Sequence, residues 1–193
     1  MGDLFEDQWV VNRAKRIGGS EIAVVMGISP YKKRVELWQE KTGLIKPKDI
    51  SMMPHVRRGI EAEPIARELI EKKFRVKYTT PQIQHPRFPF GVSLDGLCNH
   101  HVLEIKTMGE KKHLDVKNKI VPDYYMVQVQ WGMMLAGKRL GLFASYRPED
   151  ETLYTTWIFE DKKLQRAMCA EALHFWRRVE QRKKPVDLVA RFI

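Results

Sequence analysis

Cysteine is nearly absent: Cys98 and Cys169 are the only two in 193 residues. Two thiols cannot build a disulfide framework or a four-cysteine zinc or iron–sulfur site, so reduced thiols in a cytosolic protein are expected. Long hydrophobic runs are missing too. No stretch approaches the roughly 18 apolar residues of a membrane-spanning helix. The N-terminal MGDLFEDQWVV places acidic residues where a secretory leader carries its apolar core, and Glu6 stands where myristoylation at Gly2 needs Ser or Thr. Repeats, low-complexity tracts and Gly/Ser linkers are also lacking, which leaves one domain over residues 1–193 as the expectation. Acidic charge is in deficit: 24 Asp+Glu against 34 Lys+Arg give +10. That surplus suits a polyanion, whose condensed counterions are released on binding. Many proteins carry such a surplus as plain solvated surface, so alone it does not decide the partner.

What is present reads as helices around a mixed sheet. Residues 13–20 form a loop feeding a helix, with Ser20 as N-cap, EIAVVM as its body and Gly27 closing it. Ser29-Pro30 makes a turn, and a helix from about Arg34 to Thr42 stops at Gly43. The pattern from His55 to Phe74 predicts a longer helix with Val56, Ile60, Ala66, Ile70 and Phe74 on one side, kinked or broken at Pro64. RVKYTT, QIQ, FGVSLDG and HVLEIKT read as antiparallel strands, the last two turning at Gly96 and Asn99. A buried helix from about Tyr124 to Ala136, strands GLFASY and LYTTWIF, and a helix from about Lys162 to Lys183 complete an α/β arrangement.

The chemistry concentrates on Asp95 and the run Glu104-Ile105-Lys106. Residues two apart on a strand share a face, so Glu104 and Lys106 point together while Ile105 turns into the core. A tight reversal would bring Asp95 beside Glu104. Two such carboxylates repel unless a cation holds them, and hard oxygen donors with room for water suit Mg²⁺. The ion would acidify a water and offset charge growing on a phosphate, with Lys106 orienting that water or helping to deprotonate it. A lone E-x-K is otherwise an ordinary surface pair; the Ser-Leu-Asp-Gly turn before it raises its specificity. Glu63 projects between Ile60, Ile70 and Phe74, where a carboxylate needs either a cation or an arginine. Beside Asp95 and Glu104, the metal is the better expectation. Arg13 and Ser20 flank a Gly-Gly turn that could hold a phosphate, although a plain cap explains the spacing equally well. Gln128 and Gln130, on an otherwise apolar helix, could simply bond within the core.

Several blocks occur in a set order: R-x6-S with Gly-Gly before the Ser, S-P-Y, E-L-W, R-G-x3-E-P-x-A, S-x-D-G-L, L-E-I-K and Y-M-x-Q-V-Q-x-x-M. In that order they resemble the lambda-exonuclease group of phage recombination nucleases, also described as YqaJ-type viral recombinases, within the PD-(D/E)XK nuclease superfamily. The resemblance implies a mixed central sheet flanked by helices. It implies that Asp95, Glu104 and the Ile105 backbone carbonyl bind the catalytic metal, that Lys106 is the catalytic lysine, and that Glu63 reaches a second metal or its water. It also implies Arg13, Ser20 and Ser93 around the phosphates of a DNA end, and Gln130 closing the active site. Leu94 stands where Pro is usual before the motif Asp, which touches the turn and not the ligands.

The same resemblance implies an Mg²⁺-dependent exonuclease, with Mn²⁺ as a substitute. Such an enzyme degrades the 5′-terminated strand from double-stranded DNA ends and leaves 3′ single strands for recombination. It further implies a homotrimeric ring, a single-strand annealing protein alongside, no membrane, and a phage or prophage product in the bacterial cytoplasm. An endonuclease or repair nuclease would use the same core with different access. The non-enzymatic alternative is a DNA-binding module with an inactive nuclease core, against which the intact Asp95, Glu104 and Lys106 argue. A cofactor-binding α/β protein fits less well, because Gly18-Gly19 lacks the phosphate-loop pattern.

Overall fold

The computed structural model describes residues 14–186. A 3-10 turn (Gly19–Glu21) leads into helices α1 (Ile22–Val25), α2 (Arg34–Lys41) and α3 (Pro54–Phe74). Strands β1 (Gln82–Gln84), β2 (Gly91–Ser93), β3 (Gly96–Leu97) and β4 (Val102–Thr107) follow. Then come α4 (Glu110–Lys117), α5 (Asp123–Leu135), β5 (Leu140–Arg147), β6 (Thr152–Phe159) and α6 (Lys162–Glu180). β1 and β2 pair as a separate antiparallel ribbon. The main sheet has the order β3-β4-β5-β6, with β4 and β5 parallel and the outer pairs antiparallel. Parallel neighbours need a long crossover, and α4 with α5 supply it.

Alternation along β4 divides the interior in two. Leu103 and Ile105 join Leu142, Ala144 and Tyr146 of β5 against Ala62, Ala66 and Ile70 of α3. On the opposite face Val102 and Phe143 belong to a larger core with Val127 and Trp131 of α5, Phe175 of α6 and the apolar side chains of α1. The middle of β4 is therefore covered on both sides, as in other sheets with helices on each face. Among the described residues, no helix is long and apolar enough to cross a membrane.

The expected mixed sheet between helices is the fold observed, but several local expectations change. RVKYTT is not a strand; Thr79 alone bridges Leu97, because the αL residue Arg75 ends α3 and the chain then runs past the sheet edge. FGVSLDG divides at a bend at Asp95, so Gly96 belongs to β3 and the reversal falls on residues 98–101, where Cys98 N–H donates to the His101 carbonyl at 3.1 Å. Helix α3 runs unbroken through Pro64, which is exposed, so the carbonyl it frees can meet water while Ala62, Ala66 and Ile70 hold the helix on the sheet. Its buried stripe is also rotated from the expected one: Ile60 is 62% exposed and Ala62 takes the core position. Helix α4 has no counterpart among the expected elements, because its eight residues bury only His113 and Val116, too few for a periodic signal. The last helix ends at Glu180, short of the expected Lys183.

Where β5 crosses α5, the backbones are close. A Cβ on Gly141 would lie 2.6 Å from Val129 Cγ1 and 3.0 Å from Met133 Sδ, both on fully buried side chains. Gly141→Ala is expected to destabilise the fold by about 1–3 kcal/mol through overpacking. A lower midpoint of urea unfolding with an unchanged slope checks it.

Candidate active site

Glu104 and Lys106 sit on the face of β4 that looks toward α5, one pleat apart. Glu104 is 3% exposed, and Lys106 Nζ lies 2.5 Å from its Oε1. That ion pair is what meets the buried oxygen. Asp95, at the bend between β2 and β3, is tied across the strands: its Oδ2 accepts from Ile105 N–H at 2.7 Å. The sequence-derived reversal therefore does bring Asp95 to the Glu104–Lys106 segment.

Glu63 comes to the same place from α3, by a different route from the one expected. It is half-exposed, and its Oε1 pairs with Arg67 Nη1 at 3.1 Å. The same Arg67 nitrogen donates to the Asp95 backbone carbonyl. Of the two answers to a carboxylate here, cation or arginine, the side chain present is an arginine. Arg67 was missed in the sequence, although its i,i+4 spacing from Glu63 on a helix was a readable signal. It clamps the Asp95 bend onto α3.

Electrostatics follow from this crowding. Burial, opposed by Lys106 and reinforced by the Asp95 carboxylate, pushes Glu104 up to about 7. Burial and Asp95 also raise Glu63, against the pull of Arg67. For Lys106, burial disfavours the ammonium, but the facing Glu104 and Asp95 carboxylates outweigh it and hold the lysine protonated above its ordinary value. Among the described residues, no three His, Cys, Asp or Glu side chains converge as a ready-made metal nest. Asp95 and Glu104 would need a backbone oxygen and water to complete one.

A second feature adjoins this centre. Arg16, Ser20, Ser93 and Gln128 line a cleft with Gly18 and Gly19. Ser20 and Ser93 are both exposed there. Ser20 is not the N-cap; Gly18 is, and its N–H donates to the Glu21 carboxylate at 2.8 Å, while buried Lys41 pairs with Glu21 at 2.8 Å. The Ser20 hydroxyl is thereby left to the cleft. Arg13 lies outside the described residues; Arg16 is the arginine that lines the cleft. Gln130 does not come to the site. It is 2% exposed, its Nε2 donates to the Phe159 carbonyl at 2.7 Å, and its Oε1 accepts from Asp161 N–H and Gln165 Nε2 at 3.1 Å each. Gln128, two residues earlier on α5 and so about 200° away around the helix, is the glutamine on the cleft.

Fold and centre together define the class: a mixed α/β sheet presenting a carboxylate–carboxylate–lysine cluster at the end of a covered strand, beside a cleft of hydroxyls and an arginine. The chain belongs to the YqaJ-like viral recombinase domain family, whose description matches residues 8–139. The Bacillus subtilis (strain 168) protein YqaJ, itself uncharacterized, is 26% identical over 132 residues, which are 66% of this chain and 41% of that one. The match therefore spans about two fifths of that relative. Among solved structures, the alkaline exonuclease LHK-Exo from Laribacter hongkongensis is 26% identical with a TM-score of 0.79, over 91% of this chain and 93% of that one. A further structure of LHK-Exo is a complex with dAMP, at 27% identity and the same TM-score over 92% and 93% of the two chains. A phage-related exonuclease from Haemophilus somnus 129PT shares the fold at 13% identity and a TM-score of 0.70, over 86% and 94%.

Two outcomes follow for the unliganded protein. A carboxyl raised in the folded state costs stability above its folded value and ceases to cost it once pH falls below its unfolded value. In chelator, the wild-type unfolding midpoint is therefore expected to gain on that of Glu104→Gln as pH falls from about 7 to about 4.5. Parallel denaturant titrations of both proteins read this directly. Separately, Gln130→Ala is expected to cost about 1–3 kcal/mol by leaving buried partners unpaired, whereas Gln128→Ala leaves thermal stability near wild type.

Proposed function

We propose that this chain is a metal-dependent deoxyribonuclease, a single nuclease domain that degrades the 5′-terminated strand from duplex DNA ends and leaves 3′ single strands for recombination. The observation that carries the reading is the buried Glu104 carboxylate, 2.5 Å from the protonated Lys106, with the Asp95 and Glu63 carboxylates crowded beside it. Carboxylates crowded around one ammonium repel each other, and a bound cation would offset that excess negative charge. Asp95, Glu104 and the Ile105 carbonyl would hold the ion, which we take to be Mg²⁺ with Mn²⁺ as a substitute, and Glu63 would reach a second ion or its water. When bound, the ion supplies an acidified water and neutralises charge growing on the phosphate.

The chain's own groups do the rest. Lys106 Nζ carries a proton and a positive charge at the end of β4, where it can orient a water and steady a phosphate oxygen. Arg67, bridging the Glu63 carboxylate and the Asp95 carbonyl, keeps the bend in place. Ser20, Ser93, Arg16 and Gln128 offer hydroxyls, a guanidinium and an amide to the phosphates of a held end. Arg13 would be a further phosphate ligand. The surplus of basic residues favours a polyanionic substrate. Family membership and the likeness to LHK-Exo support the exonuclease reading and the phage or prophage origin. We also propose a homotrimeric ring around DNA and work beside a single-strand annealing protein.

Asp95→Ala is expected to abolish Mg²⁺-dependent nucleotide release, a loss of at least about 100-fold, while the circular dichroism spectrum stays native. Equal release by both proteins would leave only a binding role. Duplexes blocked in turn at each 5′ end should be digested solely from the open 5′ end. Efficient cutting of closed circles would point instead to an endonuclease.

A further inference from the structure

Three tyrosines form a row leading away from Lys106. Lys106 Nζ lies 5.5 Å from the centre of the Tyr125 ring. Tyr125 packs against Tyr124 with ring centres 4.4 Å apart, and Tyr124 meets Tyr31 edge-on at 5.7 Å. Lys112 closes over the row, its Nζ 2.7 Å from the Tyr124 hydroxyl and 5.3 Å from that ring's centre. The Tyr31 hydroxyl approaches the polar ends of Tyr124, Tyr125 and Lys112. Yet Tyr31 itself is 70% exposed, just after the Ser29-Pro30 turn, where its N–H donates to Ser29 Oγ at 3.2 Å.

A singly exposed aromatic needs no explanation. This one differs because its position is held from two sides while most of its ring stays open, and because the row ends on the lysine of the reacting centre. An open aromatic face beside a cation is the chemistry that accepts an unpaired nucleobase: stacking is tolerant of sequence, and the cation attends the neighbouring phosphate.

We infer that the Tyr31 ring stacks on a terminal base of the strand being cut, with Tyr124 and Lys112 holding the ring and screening the adjoining phosphate. The inference rests on the nuclease reading of the same site. It adds that recognition at this position is of the base face and not of phosphate alone.

The test uses the full chain and hairpin duplexes labelled at the closed end, with affinity measured by fluorescence anisotropy in chelator and single-turnover release measured after adding Mg²⁺. Tyr31→Ala is expected to weaken binding of an intact end about 10-fold, whereas Tyr31→Phe, which keeps the ring, stays within about 2-fold of wild type. Removing the terminal bases of the cut strand should weaken wild-type binding about as much and make Tyr31→Ala equivalent to wild type. Abasic positions in the other strand should change nothing in this comparison. Equal binding of intact and abasic ends by wild type, an effect that follows the uncut strand, or a Tyr31→Phe loss as large as that of Tyr31→Ala would each overturn the stacking assignment. A wild type that digests duplex ends while Tyr31→Ala binds them equally well overturns the stacking alone. A wild type that neither binds nor digests an end overturns the nuclease reading with it.

Discussion

Glu104 and Lys106 occupy successive same-face positions on a strand whose middle is enclosed by helices on both sides, so a carboxylate there must be answered locally. Leu103 and Ile105 commit the other face of β4 to α3, which fixes the side on which the charged pair emerges. Water cannot answer a residue 3% exposed, and Lys106, 2.5 Å from its Oε1, does so. The same strand also anchors the second carboxylate, because Asp95 accepts from the Ile105 backbone N–H. Displace β4 by one residue and the apolar and charged faces exchange, which would disrupt the core and the centre together.

Around that strand the chain divides its work by direction. Helix α3 lies on the far face yet sends Glu63 and Arg67 to the Asp95 bend, so the apolar packing of Ala62 and Ala66 and the clamp on the site come from one helix. Helix α5 does the corresponding work on the near face: Val127 and Trp131 fill the core, Gln130 braces the β6–α6 junction, and Gln128 meets the cleft. The buried Glu21–Lys41 pair serves a similar end at the cleft's other wall, holding the Gly18-Gly19 turn so that Ser20 stays open to solvent. Membership of the YqaJ-like family and the fold shared with exonucleases from Laribacter hongkongensis and Haemophilus somnus fit this division of scaffold and chemistry.

Much of this was readable in advance where the signal was local. The period-two pattern of HVLEIKT identified β4 and paired Glu104 with Lys106, and the glycines after α1 and α2 marked stops that do adopt positive φ. Signals that depended on partners were read less well. Ile60 and Ala62 flank the Ala66–Ile70 stripe from opposite sides on the helical projection, and only the surface of β4 and β5 decides that the smaller side chain packs inward. RVKYTT has strand propensity without a strand beside it to pair with along its length. Gln128 and Gln130 are the same residue type on the same helix, and no pattern along the chain tells which amide meets β6 and which meets the cleft.

The sequence by itself determined the elements whose period is local, the reversal carrying Asp95 toward Glu104, and the types of group brought to the centre. Dihedral preference and side-chain alternation act over a few residues, so neighbours in the chain suffice to read them. Only the tertiary structure decided that Arg67 ties the Asp95 bend to α3, that Arg16 and Gln128 line the cleft, and that Tyr31 packs edge-on against Tyr124. Those relations join residues of separate elements, and their geometry is set by how α1, α3 and α5 pack on one buried strand.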